Sequence, residues 1–274
     1  MNINAQTIIC GAIGNPIEHS LSPNIHNAGF QSLGLNFAFA AFHATNVKEA
    51  ISGIRGLNIR GISVTIPHKV TVMEYLDEID ETAKKIGAVN TIVNDNGKLT
   101  GYNTDCDGAV QALKEQTSLK GKRILLVGAG GAARAIAFGL KKEGASIVIT
   151  NRTVKKAKDL AEHVGVSFVE IEETANQKID IIINATSVGM TPKENASAIP
   201  SVLLRKNVVV FDIVYTPKET KLIQDAKSAG CTIVYGYKML LYQAVEQFKL
   251  FTKKDAPVAI MEQALVNALE KREK

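Results

Sequence analysis

The chain has 274 residues, 46% hydrophobic and 22% charged, a globular balance with length enough for two domains of ordinary size. Its net charge of +5 is scattered, with no Lys/Arg block interleaved with aromatics, which argues against nucleic acid and suits anionic small molecules. Cys10, Cys106 and Cys231 show neither zinc spacing nor a disulfide framework, the first residues carry no secretory pattern and no apolar stretch suits a membrane span, so a cytoplasmic protein without membrane or metal partners is expected.

Strand and helix signals alternate along the chain. Thr7 to Ile13, Phe37 to Phe42 and Ile59 to Val64 read as strands with helices between them. Ser22-Pro23 offers an N-cap followed by proline at the first helical position, which predicts a helix to about Leu33. Thr91 to Asp95 and Lys98 to Tyr102 flank Asn96-Gly97, a two-stranded hairpin signal. Asp105 to Gln116 reads as a linking helix. Arg123 to Val127 suits a buried parallel strand, followed by a helix over Ala132 to Lys142 and a strand over Ala145 to Thr150. Further strands fall at Ile179 to Ile183, Val208 to Ile213 and Thr232 to Tyr235, and from Tyr237 onward only helix patterns remain. The fold class is α/β: an N-terminal α/β domain over 1–105, a Rossmann-like parallel-sheet domain over 106–236, and a cleft between them, with 237–274 packing back on the first.

Gly128-Ala129-Gly130-Gly131-Ala132-Ala133 fits G-x-G-x-x-A between a strand and a helix. The first glycine supplies a tight turn, the second lets backbone approach a pyrophosphate, and the small third residue packs helix close to strand. The helix N-terminus presents free N–H groups and a positive dipole end to phosphate. The next strand ends in Thr150-Asn151-Arg152-Thr153, with Lys155 and Lys156 beyond. An NAD enzyme usually places a carboxylate there to hold the ribose 2′-hydroxyl; three cations instead suit a 2′-phosphate, so the expected cofactor is NADP.

The N-terminal motifs are less generic. Gly14-Asn15-Pro16-Ile17-Glu18-His19-Ser20-Leu21-Ser22-Pro23 sets two hydroxyls two residues apart before a helix, a pair able to grip a carboxylate, although an ordinary cap would need only Ser22. In Thr65-Ile66-Pro67-His68-Lys69, Pro67 halts a strand so that Lys69 projects from the loop. Taken alone, Lys69 reads as a solvated lysine and Asp105 as an acid at a helix start. His19, His26, His43 and His163 share no ligand spacing and read as structural or surface residues.

Gly14 to Asn27, Thr65 to Lys69, Gly87 to Thr91, Gly101 to Gly108, Gly128 to Arg134, Asn151 to Thr153, Asn184 to Ser187, Asp212 to Thr220 and Gln243-Ala244 together resemble the shikimate dehydrogenase family, in its order and over nearly the whole chain. The resemblance implies NADPH-dependent, reversible reduction of 3-dehydroshikimate to shikimate, with Lys69 and Asp105 as the catalytic pair. It implies Ser20 and Ser22 at the substrate carboxylate, and Thr65, Asn90, Asp105, Tyr215 and Gln243 at the ring and its hydroxyls. For the cofactor it implies the turn residues Gly128, Ala129, Gly130, Gly131 and Ala132 and an adenosine-phosphate clamp of Asn151, Arg152, Thr153 and Lys156. Thr186, Ile213, Gly236 and Met239 fall near the ribose and nicotinamide, with Glu81 as a weaker cofactor-side position. The assembly is left open between monomer and homodimer.

Reducing a ring ketone needs a hydride on carbon and a proton on oxygen. Lys69 as ammonium supplies the general acid, and Asp105 holds the lysine and a neighbouring hydroxyl. Three departures stand out: Lys238 where the family usually has glycine, Phe251-Thr252-Lys253 for its usual Trp-Thr-Gly, and His68 in a slot that is often aromatic. Two other readings stay open, a quinate/shikimate dehydrogenase and a non-catalytic sensor on the same fold. The two serines with Arg152 oppose the first, and the presence of both Lys69 and Asp105 opposes the second.

Overall fold

β-Branched and leucine runs, too short for helices and bounded by glycine or asparagine, become the strands of two six-stranded sheets. The computed structural model describes residues 3–176, 178–192 and 194–272. Residues up to 104 together with those from 243 onward form one compact unit, and Asp105–Tyr242 form the other.

In the first unit β1 (Ile8–Gly14), β2 (Phe37–His43), β3 (Gly61–Val64), β4 (Glu78–Ile79), β5 (Thr91–Asp95) and β6 (Lys98–Tyr102) lie in the order β2-β1-β3-β5-β6-β4. β1 is parallel to β2 and β3, whereas β5 is antiparallel to β3 and to β6. The β5–β6 turn puts Asn96 and Gly97 at positive φ, and Asn94 Oδ1 accepts from Gly97 N at 2.7 Å. Helices α1 (Ser22–Ser32), α2 (Val47–Gly56) and α3 (Glu81–Ile86) connect the strands. Asn46 caps α2, and Asp80 caps α3 through bonds from Thr82 N and Ala83 N. Ile13, Ile62, Val64, Ile92 and Leu99 from the sheet meet Ile51 and Ile54 of α2 in one core.

The second unit holds β7 (Arg123–Val127), β8 (Ser146–Thr150), β9 (Ser167–Phe168), β10 (Ile181–Asn184), β11 (Val209–Asp212) and β12 (Thr232–Tyr235), all paired in parallel in the order β12-β11-β10-β7-β8-β9. Its helices are α4 (Asp105–Lys114), α5 (Gly131–Lys142), α6 (Val154–Val164) and α7 (Lys221–Ser228). The two-residue period of the strands divides their side chains between two cores. Ile124, Leu126, Ile181 and Ile183 join α4, α5 and α6, while Leu125, Val127, Ile182 and Val210 join α7 and the segment around Leu203. This is the doubly wound arrangement, and the strand order reverses between β7 and β10.

The last helices are α8 (Gly236–Thr252) and α9 (Val258–Arg272). Within the first unit α9 packs on α1, where Gly29 admits Phe248 and Met261, and Arg272 donates to the His19 carbonyl at 2.8 Å. Among the described residues no helix is long and apolar enough to cross a membrane.

Several boundaries move. β3 starts at Gly61 rather than Ile59, because Ile59 N bonds back to Ile54 O in the turn that ends α2, with Asn58 at positive φ. α4 stops at Lys114, short of Gln116, as Gln116 N and Thr117 N both return to Leu113 O. Ser22 is not a cap: it is the first helical residue and is buried, while the cap position falls to Leu21, which makes no side-chain bond. Ser20 Oγ instead accepts from Ser22 N at 3.3 Å. Proline pre-sets the first turn, and the Ser22 hydroxyl, not spent on capping, is left for another task.

Candidate active site

Strand pairing alone assembles one end of the first sheet. β1 and β3 run parallel with Ile13 opposite Val64, so the segments leaving Gly14 and Thr65 emerge side by side. A Cβ on Gly14 would lie 2.5 Å from the Thr65 methyl, so the two segments pack closely and a larger residue would displace Thr65, and Asn15 N donates to Ile66 O at 2.9 Å. Ser20 and Ser22 lie on the first segment and Lys69 on the second. β5 runs antiparallel to β3, which brings Asn90 to the same end; Val64 N donates to Asn90 O at 2.7 Å and Val89 N to Lys69 O at 2.8 Å.

Asn90 is buried, and hydrogen bonds hold both ends of its amide. Nδ2 donates to Thr104 Oγ1 at 3.0 Å, and Oδ1 accepts from Thr104 N at 2.8 Å and Thr91 Oγ1 at 2.7 Å. Its orientation is therefore fixed. Gln243 is buried on α8, and Gln247, one turn later on the same helix, donates to Ser63 Oγ at 3.1 Å, Asn90 O at 3.3 Å and Thr91 Oγ1 at 2.9 Å. Gln247 escaped the sequence reading, although its i+4 spacing from Gln243 is a usable signal.

Lys69 sits in the turn after β3 and is half-buried. Its neighbour His68 is buried, with Nε2 2.7 Å from the Ala44 carbonyl. Asp105 is buried at the first turn of α4, a helix that fits closely on α5: a Cβ on Gly139 would meet Cys106 Sγ at 2.9 Å. An acid in a first helical turn is stabilised by the dipole there. Phe251 is buried against Gly61, where any Cβ would run into its ring.

In the second unit the cofactor candidates gather at the carboxyl ends of the strands, where open α/β sheets bind ligands. Gly128 follows β7 with φ +124°, and a Cβ there would meet Ala185 O at 2.8 Å. Ala129 packs on the core, while a Cβ on Gly130 would face open space. Gly131 and Ala132 open α5, whose N-terminus has no side-chain cap. Open backbone before an uncapped helix start fits a pyrophosphate. After β8, Asn151 Nδ2 donates to Thr153 O at 3.0 Å, Arg152, Thr153 and Lys156 are exposed, and α6 starts with neither a side-chain cap nor an acid in its first turn. Thr186 follows β10, Ile213 and Tyr215 follow β11, and Gly236 with buried Met239 follows β12. A Cβ on Gly236 would lie 2.5 Å from Ile213 O, so glycine is required at this junction. Glu81 belongs to the first unit, exposed at the start of α3 and 2.9 Å from Lys84, which lowers its carboxyl pKa through the hydrogen bond and the ammonium charge.

A parallel sheet with a glycine turn at its strand-order reversal and a cationic strand tip, joined to a second α/β unit bearing its own polar cluster, defines an NADP-dependent oxidoreductase. Residues 12–92 match the shikimate dehydrogenase substrate binding domain, 110–226 the shikimate / quinate 5-dehydrogenase family and 236–266 the shikimate 5'-dehydrogenase C-terminal domain. The chain is 48% identical to the shikimate dehydrogenase (NADP(+)) of Methanobrevibacter smithii over 281 residues, covering 98% of this chain and 99% of that protein. A shikimate dehydrogenase solved with NADP+ superposes with a TM-score of 0.94 at 43% identity, covering 98% of each chain. The Thermus thermophilus shikimate 5-dehydrogenase solved with NADP(H) and shikimate gives 0.90 at 34%, covering 96% of this chain and 100% of that one. The chain belongs to the shikimate dehydrogenase family.

Proposed function

We infer that the protein is an NADP-dependent shikimate dehydrogenase, reversibly reducing 3-dehydroshikimate to shikimate in the chorismate route to aromatic amino acids. The observation that carries this reading is the convergence of the Ser20–Ser22, Thr65–Lys69 and Asn90 segments at one end of the first sheet. Ser20 and Ser22 hold the substrate carboxylate by hydroxyl donation, with the start of α1 adding its dipole. Thr65, Asn90, Tyr215 and Gln243 orient the ring through its hydroxyls. Arg152, with Asn151, Thr153 and Lys156, takes the 2′-phosphate, and Gly128 to Ala132 take the pyrophosphate. Glu81 is a minor contributor on the cofactor side.

When bound, NADPH supplies the hydride. Lys69 as ammonium polarises the ring carbonyl and gives its proton to that oxygen; in the oxidation direction the neutral lysine takes the proton back. Asp105 orders the lysine and a substrate hydroxyl, so the two act as a unit. The test is steady-state rates with shikimate and quinate, each with NADP and NAD. Preference for shikimate with NADP is expected, and preference for quinate with NAD overturns the reading.

A further inference from the structure

Asp212 is the last residue of β11 and is wholly buried. A carboxylate in such a place is costly unless hydrogen bonds answer it, and here neutral donors from three directions do so. Asn184 Nδ2 donates to Oδ1 at 2.9 Å, Val214 N to the same oxygen at 3.1 Å, and Thr220 Oγ1 to Oδ2 at 2.7 Å. Burial pushes the carboxyl pKa up to about 6, and the donors hold it back from rising further.

Each partner passes the constraint on. Because the Asn184 amide turns its NH2 to Asp212, its oxygen faces the other way and accepts from Thr186 Oγ1 at 2.7 Å and Thr186 N at 3.1 Å. Thr186 Oγ1 then accepts from Val188 N at 3.1 Å. On the other side Thr220 Oγ1 also accepts from Ile223 N at 3.2 Å, capping α7 and so fixing the far end of the 213–220 segment. Thr191 N donates to Thr216 O at 3.3 Å and ties the two segments together.

We propose that Asp212 is a positioning residue: its buried carboxylate clamps the loops that follow β10 and β11, and thereby sets Thr186, Ile213 and Tyr215 for cofactor and substrate. The proposal rests on the shikimate dehydrogenase reading for the roles of those three residues. It differs from a structural staple in predicting that binding suffers even where the fold is intact. Asp212→Asn keeps the shape but turns an NH2 toward groups that themselves donate, which leaves at least one buried donor unanswered.

The test uses the full chain as Asp212→Asn, Thr220→Val and Thr220→Ser, with NADP dissociation constants by titration calorimetry, KM and kcat for shikimate, and thermal midpoints. Asp212→Asn is expected to weaken NADP binding and raise the shikimate KM about tenfold or more at temperatures where it is fully folded, since small displacements of positioning groups cost that much. Thr220→Val is expected to shift both constants in the same direction, and Thr220→Ser, which keeps the hydroxyl, to restore them. Wild-type constants in Asp212→Asn, or in Thr220→Val should the first variant not fold, overturn the proposal whatever happens to the thermal midpoint. Absence of NADP-linked shikimate turnover in the wild-type protein overturns the functional reading instead, and the NADP titrations still decide the role of Asp212.

Discussion

Lys238 Nζ lies 3.2 Å from the Glu115 carboxylate, so this cation is answered by an acid just past the end of α4. The Tyr242 hydroxyl donates to the same carboxylate. Lys238 occupies the first turn of α8, where a positive charge opposes the helix dipole, and Glu115 offsets that conflict. Both side chains keep some solvent contact, which limits the pair to about 0.5–1 kcal/mol. A double-mutant cycle of Glu115→Gln and Lys238→Gln is expected to return that coupling in urea unfolding. Strict additivity of the two changes means the contact contributes nothing to stability.

Arg152 tests cofactor choice. It is exposed at the end of β8, beside a helix start with no cap and no acid. Arg152→Asp removes a charge-assisted contact and adds repulsion, which weakens NADP binding by about 2–4 kcal/mol. NAD turnover is expected to fall little, because the 2′-hydroxyl lacks that charge. A wild-type KM for NADP in this variant would dismiss the strand-tip assignment.

Lys69 tests the chemistry. Lys69→Ala is expected to lower kcat about 10²–10⁴-fold, the range for a positioned general acid or base, with a much smaller change in the shikimate KM. Asp105→Asn is expected to cost a comparable factor in kcat and to raise KM as well. The double variant is expected to be little worse than the worse single one, since residues acting as a unit are not additive. Near-wild-type turnover of Lys69→Ala, read from pH–rate profiles of all four proteins, would rule the mechanism out.

What the sequence discloses depends on how local the determinant is. Asn96-Gly97 between two alternating runs specifies a hairpin without outside help, and Val127-Gly128 specifies a strand-to-helix turn in the same way. β4 and β9 span two residues each, too few for a period to register. The Asp212 cluster is invisible for another reason: Asn184 and Thr220 lie 28 and 8 positions away, and only strand pairing brings Asn184 opposite Asp212. Ser22 reads as a cap because Ser-Pro at a helix start usually is one, and its burial is decided by tertiary packing. His26, without ligand spacing, gives no sign of the core it occupies: it stacks on Phe39 at 4.4 Å among Phe30, Phe248 and Phe251.

His26 and Asp212 make acid stability a test of both buried sites. Neither His26 ring nitrogen has a hydrogen-bond partner of good geometry, and burial pushes its pKa down to about 3, with the Gln247 side chain pulling weakly the other way. Between pH 6.5 and 3 the unfolded chain holds a proton at this residue that the folded one refuses. Stability from His26 therefore falls with falling pH across that window, at up to about 1.4 kcal/mol per pH unit. Asp212 works in reverse: with its pKa raised from 3.8 to about 6, the folded protein binds the extra proton, so its contribution falls as pH rises between those values. The two slopes oppose each other from about pH 4 to pH 6, and the wild-type profile is expected to be flat there as far as these residues set it. His26→Leu is expected to lose stability on going from about pH 4 to about pH 6, and Asp212→Asn to gain it, relative to wild type. Urea unfolding across that range measures both slopes, and a His26→Leu profile parallel to wild type would show that His26 does not titrate on unfolding.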